Sequence, residues 1–157
     1  MIVTREMLDD GGLLRSLIEV YNKSGDRKAY AMVFQCLRDS YVYVPCRIMV
    51  NNIPLHGIYE DDFDSNDEVE IVPDFLYTAN QDKFFPVFSN KDFLPLEENL
   101  GLCGLRKHFL DVIDWVSSIR DVDGVLVDAF TNMFVCDVSY FPLIRELPSM
   151  IDESMLS

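Results

Sequence analysis

Few side chains in this sequence could act as a general base near neutral pH. His56 and His108 are the two histidines, and histidine is the residue whose ordinary pKa lies closest to that range. No motif places either histidine beside a nucleophile, and His56 stands in the loop-like run 54–57. We therefore interpret His56 as a loop residue and His108 as a residue at the edge of a helix.

Ser89 follows a strand-like run and precedes a helix-like run, which is the position of the nucleophile in a hydrolase elbow. That elbow needs glycine two residues before and two residues after the serine, and Val87 and Lys91 occupy those positions. Asp92 lies three residues after Ser89, which is the spacing of a capping box. We expect Ser89 to be the N-cap of a short helix rather than a nucleophile.

The cysteines have the spacing neither of a metal site nor of a redox motif. No two of them form a Cys-x-x-Cys pair, and no histidine accompanies them at zinc-ligand spacing. Glycine-rich nucleotide-binding motifs and the His-Glu-x-x-His zinc motif do not occur either. We predict no catalytic residue, no cofactor and no metal, and we expect buried reduced thiols at Cys36, Cys46, Cys103 and Cys136.

One acidic window contains no basic residue and accounts for half of the net charge of −14. Its carboxylates are Glu60, Asp61, Asp62, Asp64, Asp67, Glu68 and Glu70. Asp62, Asp64 and Asn66 fit the first ligand positions of a calcium-binding EF-hand loop, but that loop needs glycine and a bidentate glutamate at its sixth and twelfth positions. Asp67 and Pro73 stand there instead, so a solvated, mobile acidic loop is the preferred interpretation.

Composition excludes several classes of protein. The chain has 157 residues, 49% of them hydrophobic, with 27 acidic and 13 basic side chains. It is too apolar for a disordered segment and too acidic for a nucleic-acid-binding protein. No apolar run approaches the roughly 20 residues of a transmembrane helix, and residues 1–30 lack the pattern of a secretory signal. We expect a cytoplasmic protein that binds neither nucleic acid nor membranes, with one domain over residues 1–147 and a frayed tail over 148–157.

Hydrophobic periodicity predicts an α+β fold, with a mixed, mostly antiparallel sheet and helices packed on it. The predicted helices are residues 13–21, 29–37, 105–119 and 140–147. The predicted strands are residues 41–50, where Pro45 marks an edge or a bulge, 69–77 and 84–88, which form a hairpin, and 125–127 and 133–136, which form a central hairpin.

Three short motifs resemble the SseB N-terminal domain family, named for enhanced serine sensitivity, whose members are small α+β domains of bacterial cytoplasmic proteins. Residues 37–45 are similar to the family's Leu-x-x-Ser-x-aromatic-Val-Pro element. Residues 84–90 are similar to its aromatic-Leu-Pro-Val-Phe-Thr-Ser segment at a strand-to-helix junction. Residues 125–130 resemble a third element, except that Asp128 and Ala129 replace the family's Asn-Pro.

The resemblance covers residues 29–147 and implies the family's fold without any known catalytic residue. It leads us to expect a non-catalytic protein-interaction or regulatory module. His108 and Trp115 lie two turns apart at the rim of the apolar face of the predicted long helix, and tryptophan is a frequent anchor for partners. We predict that this rim, together with exposed parts of the sheet, binds an unknown protein partner or a second copy of the chain.

Two other functions stay open at this point. One is a small-ligand-binding protein or an enzyme with an unrecognised pocket, which a deep polar pocket with converging carboxylates or a histidine with a strongly perturbed pKa would favour. The other is an acidic decoy, in which the acidic window captures a basic or nucleic-acid-binding protein.

Overall fold

The computed structural model describes residues 3–96 and 101–151. In this part of the chain there are five α-helices and nine strands. The helices are α1 (Arg5–Asp9), α2 (Gly12–Ser24), α3 (Arg27–Asp39), α4 (Phe109–Ser117) and α5 (Phe141–Glu146). The strands are β1 (Tyr41–Val50), β2 (Ile53–Pro54), β3 (Gly57–Glu60), β4 (Val69–Pro73), β5 (Leu76–Tyr77), β6 (Lys83–Val87), β7 (Cys103–His108), β8 (Gly124–Val127) and β9 (Phe134–Asp137).

The strands form two mixed sheets. In the first, β1 pairs antiparallel with β4 on one side and with β7 on the other, and β3 extends the sheet in parallel with β7. The short strand β2 pairs with the end of β1. The second sheet has the order β5-β6-β8-β9, with the parallel pair β6 and β8 at its centre. A backbone bridge between Tyr43 and Phe88 joins the two sheets.

Both sheets bury residues in one hydrophobic core. Strand alternation sends every second residue inward, and the helices contribute the apolar stripes that their periodicity predicts. The core residues from strands include Val42, Val44, Phe85, Val87, Val125 and Val127, and those from helices include Ile18, Val33, Leu37, Val112, Ile113 and Ile144.

The α+β prediction is confirmed, with two sheets in place of one. The helices predicted over residues 13–21, 29–37 and 140–147 correspond to α2, α3 and α5. Antiparallel pairing of β8 with β9 confirms the hairpin predicted for residues 125–127 and 133–136. This hairpin is not central, because β9 is the last strand of its sheet. The single strand predicted over residues 69–77 is wrong: β4 pairs with β1 in the first sheet, and only the two residues of β5 pair antiparallel with β6.

The long helix was predicted to start too early. Residues 105–108 belong to β7, and α4 begins only at Phe109. The segment lies between β1 and β3 and pairs with both. This pairing on two sides overrides a local helical periodicity, as tertiary context commonly does.

Pro45 lies inside the middle strand β1, not at a sheet edge. On one side of β1, the backbone of Tyr43 forms hydrogen bonds with the backbone of Phe88. On the same side, the pairing with β4 begins at Cys46. Pro45 falls between these two pairings, and its carbonyl oxygen accepts from the Asp74 N–H at 3.0 Å. Its missing N–H therefore leaves no gap in either ladder.

Two segments predicted to lack structure make defined contacts. The polar stretch after β1 contains β2 and β3. In the predicted tail, Met150 N–H donates to the Asp39 carboxylate at 2.8 Å, and Ile151 pairs with Val3. The rest of that tail, residues 152–157, lies outside the described residues.

Candidate functional site

The structure brings the acidic window and the predicted rim together. Because β3 and β7 are parallel neighbours, Glu60 lies beside Arg106, and their side chains form an ion pair at 3.3 Å. Just beyond the strand, Asp61 pairs with Lys107 at 2.7 Å. We call the surface formed by these four residues, Tyr41 and His108 the charged rim.

Tyr41 is the centre of the charged rim. The Arg106 guanidinium lies 3.9 Å from the centroid of its ring, and the Arg5 guanidinium lies 5.0 Å from it. The His108 ring meets Tyr41 edge to face at 5.1 Å. A cavity of about 350 Å³ opens here, and it is lined by Asp62 and Asp111 as well as by the rim residues. Two of the seven acids of the window, Glu60 and Asp61, therefore pair with basic side chains of the same chain.

His108 is the N-cap of α4. Its Nδ1 atom accepts from the Leu110 N–H at 3.2 Å. Burial lowers the pKa of His108 below its ordinary value of 6.5, and the positive charge of Arg5 lowers it further. The neutral imidazole is therefore the form that the fold accommodates, since protonation would remove the capping acceptor.

We expect the wild-type chain to lose stability relative to His108→Asn as the pH falls below 6.5. The unfolded chain takes up a proton near that pH, whereas the folded chain does so only at its lower pKa, so acid favours unfolding. Asparagine keeps a capping acceptor without titrating. Urea unfolding of both chains at about pH 8 and about pH 5 measures the difference, and an unchanged difference between the two chains would contradict the assignment.

Trp115 is half-buried and contacts both the core residue Phe85 and the rim residue Lys107. Its ring meets the buried Phe85 edge to face at 5.1 Å, and the Lys107 ammonium lies 5.5 Å from its centroid. Lys107 thus links Trp115 to the charged rim. The partner-binding role of His108 and Trp115 stays a prediction.

The remainder of the acidic window is held by turns. Asp64 Oδ1 accepts from the Asn66 N–H at 2.9 Å, and Asn51 bridges Asp67 and Glu68 through its amide. Within residues 3–96 and 101–151, no three side chains of Asp, Glu, His or Cys are grouped so that they could hold a metal ion.

Ser89 is not the helix cap that its spacing predicts. Asn90 caps the short helical turn at Lys91–Phe93, whereas the Ser89 hydroxyl donates to the buried Asp128 carboxylate at 2.7 Å. The Ser89 N–H donates to the other carboxylate oxygen at 2.8 Å. Both residues follow the carboxyl ends of the parallel strands β6 and β8 and are only 1% exposed. The pair fastens the two strand ends together, and the Ser89 hydroxyl also accepts a hydrogen bond from the Arg15 guanidinium at 3.3 Å.

The remaining candidate residues, His56 and the four cysteines, make only structural contacts. His56 is exposed in the loop between β2 and β3, where its carbonyl oxygen accepts from the Tyr59 hydroxyl at 2.8 Å. All four cysteines are free and buried, as expected. Burial raises the pKa of the thiols, to about 11 for Cys36 and about 12 for Cys46 and Cys136. These thiols are protonated near neutral pH and poor nucleophiles.

The second sheet has an outer face that sequence reasoning did not single out. Phe84 pairs with Leu76, and Leu126 pairs with Val135, so alternation places these side chains opposite the core. Phe130, Tyr77 and Met133 adjoin them at 83%, 66% and 53% exposure. We call these seven residues the apolar face.

Phe130 is the most exposed large hydrophobic residue of the apolar face. It lies in the turn between β8 and β9 with φ at 74°, and Asp128 in the same turn has φ at 52°. A bulky side chain at positive φ stores backbone strain, on the order of 1 kcal/mol or more. Beside it is a groove of about 490 Å³ whose lining residues carry no charge. Phe130 thus combines a strained backbone with an exposed aromatic ring beside an uncharged groove.

No family model matches the chain, and neither the curated proteins nor the solved structures contain a match. Over the described ranges, none of the helices combines the length and the apolar character needed to cross a bilayer. The class that fold and surfaces define is an α+β protein with two mixed sheets around one core, a charged rim on one sheet and an apolar face on the other.

Proposed function

We propose that this chain is a non-catalytic protein-interaction module of the SseB N-terminal domain type, and that a partner docks on its apolar face. The observation that carries the proposal is Phe130, a strained and almost fully exposed aromatic residue beside an uncharged groove. Aromatic side chains next to a pocket are the usual hot spots of protein interfaces. The three sequence motifs support the family assignment.

The apolar face is a stronger docking surface than the rim around His108 and Trp115. The rim's charged groups already pair within the chain, through Glu60 with Arg106 and Asp61 with Lys107. The same pairing weakens the decoy hypothesis, since part of the acidic window is engaged by its own chain. On the apolar face, by contrast, a partner would remove apolar surface from water at about 25 cal/mol per Å².

Site-specific photo-crosslinking tests the proposal. Benzoylphenylalanine in place of Phe130 keeps an aromatic ring at the centre of the apolar face, and the same residue in place of the exposed Asp111 samples the rim. Exposed Val20 on α2 is the matched control position. In a lysate of the source cells, we expect a crosslinked product of defined mass at position 130 that excess wild-type chain suppresses and excess Phe130→Asp does not.

Two outcomes would overturn this assignment. A product at position 111 without one at position 130 would transfer the interaction to the rim. Equal products at positions 130 and 20 would show that the crosslinks are unspecific and that the apolar face has no dedicated partner.

A further inference from the structure

The apolar face ends at a group of exposed carboxylates. Asp137 lies two residues after Val135 on β9 and therefore points to the same side of the sheet. Asp82 bonds to the Thr78 hydroxyl at 3.4 Å, and Thr78 lines the groove. Asp123 accepts from the Lys83 N–H at 2.8 Å, next to Asp82 in the chain. Asp82, Asp123 and Asp137 thus border one end of the apolar face.

These three carboxylates are not neutralised by the chain itself. Among the ion pairs formed by the described residues, none includes Asp82, Asp123 or Asp137. Lys83, the cation that follows Asp82 in the chain, has its ammonium 4.1 Å from the Phe75 ring. Strand alternation places it on the opposite side of β6 from Phe84. The negative field at this end is therefore available to a ligand.

Resting on the proposed function, we propose that the occupant of the apolar face is a cationic amphipathic segment of another protein. Its apolar side chains cover Phe84, Leu126 and Phe130, and its lysine or arginine residues meet the three carboxylates. A helix presents such a pattern naturally, since apolar residues at three- and four-residue spacing share one face and basic residues occupy the other.

Electrostatics favours a cationic segment over a second copy of the chain, nucleic acid or an anionic membrane. A second copy of the chain would bring the same carboxylates and a net charge of −14 to the interface, which opposes association. Nucleic acid and anionic membranes are repelled for the same reason. A cationic segment gains both the apolar contact and the attraction.

A pair of synthetic peptides provides the probe. Both are about 18 residues long, with the same leucine face, and their polar face carries lysine in one and glutamate in the other. We expect the lysine peptide to bind the wild-type chain with an affinity that decreases as salt is added, and the glutamate peptide not to bind. Phe130→Ala should weaken binding of the lysine peptide by about tenfold or more.

Two charge-matched variants locate the attraction. Asp82→Asn with Asp123→Asn and Asp137→Asn removes the carboxylates at the apolar face and should reduce both affinity and salt dependence. Asp62→Asn with Asp64→Asn and Glu68→Gln removes the same charge from the acidic window and should leave both unchanged. Amides keep the acceptors that the turn hydrogen bonds need.

The proposal is overturned if both peptides bind equally, or if the window variant loses binding and the first variant does not. It is also overturned if light scattering shows a wild-type dimer that Phe130→Ala dissociates, since the occupant would then be a second copy. Failure of the peptides with crosslinking intact at position 130 would reject only the cationic character of the partner.

Discussion

Asp128→Ala is expected to lower the free energy of unfolding by about 3 kcal/mol. The substitution leaves the N–H and the hydroxyl of Ser89 without their acceptor in a site that is 1% exposed, and a buried unsatisfied group costs roughly 1–3 kcal/mol. Alanine also tolerates φ at 52° less well than aspartate does. Urea denaturation with an unchanged m value would measure the loss.

Asp128→Asn is the matched control. Asparagine tolerates the same backbone conformation and offers an oxygen to the Ser89 N–H, so stability near neutral pH should stay within about 1 kcal/mol of the wild type. A loss as large as that of the alanine variant would show that the negative charge, not the hydrogen bonding, is required.

The pH dependence of the two chains should also differ. Burial raises the pKa of Asp128 above 3.8, although the Ser89 hydrogen bonds partly oppose this. The folded chain therefore takes up its proton before the unfolded chain does, and the wild type gains stability relative to Asp128→Asn as the pH falls towards 3.8.

Asparagine at this position is also what the SseB-like motif leads us to expect. Residue 128 must adopt a positive φ and accept hydrogen bonds from Ser89, and both residues can do so. Aspartate at this position thus offers the acceptor that asparagine would offer and adds a titratable group to the turn.

Local patterns were sufficient to predict most helices and the hairpin of β8 and β9. Their evidence lies within a few residues, as in the apolar stripe of α2 or the adjoining runs of β8 and β9. Local patterns could not predict the pairing of strands that are far apart in the sequence. The local pattern of β7 predicts a helix, because its pairing with β1 and β3 is not visible in the local sequence. The spacing around Ser89 predicts a helix cap, because the parallel pairing of β6 and β8 that brings Asp128 to Ser89 is not visible there either.

The candidate site was harder to predict than the fold, because an exposed apolar face and a buried one have the same composition. Val125, Leu126 and Val127 are apolar on both sides, which is typical of a central strand. Val125 and Val127 are buried, but Leu126 lies on the outer side of the sheet, and nothing in the described residues 3–96 and 101–151 covers it fully. Only the three-dimensional arrangement, with helices on one side of the sheet, shows which apolar face is buried and which is exposed.

Phe85→Ala is expected to have the largest effect on stability, a loss of about 4 kcal/mol. Phe85 is fully buried and meets Phe75 and Trp115 edge to face at 6.0 and 5.1 Å. Its removal leaves a cavity that a rigid sheet cannot close, and such substitutions of phenylalanine cost roughly 3–5 kcal/mol. Thermal and urea unfolding both report the change.

Phe84→Ala provides the control within the same strand. Phe84 is only half-buried and lies on the apolar face, so its removal should cost about 1 kcal/mol and should instead weaken binding of the lysine peptide. If Phe84→Ala destabilises the isolated chain as much as Phe85→Ala does, the outer face is part of the core and no docking surface exists there. Adjacent residues of identical type thus separate what holds the fold together from what the fold presents to a partner.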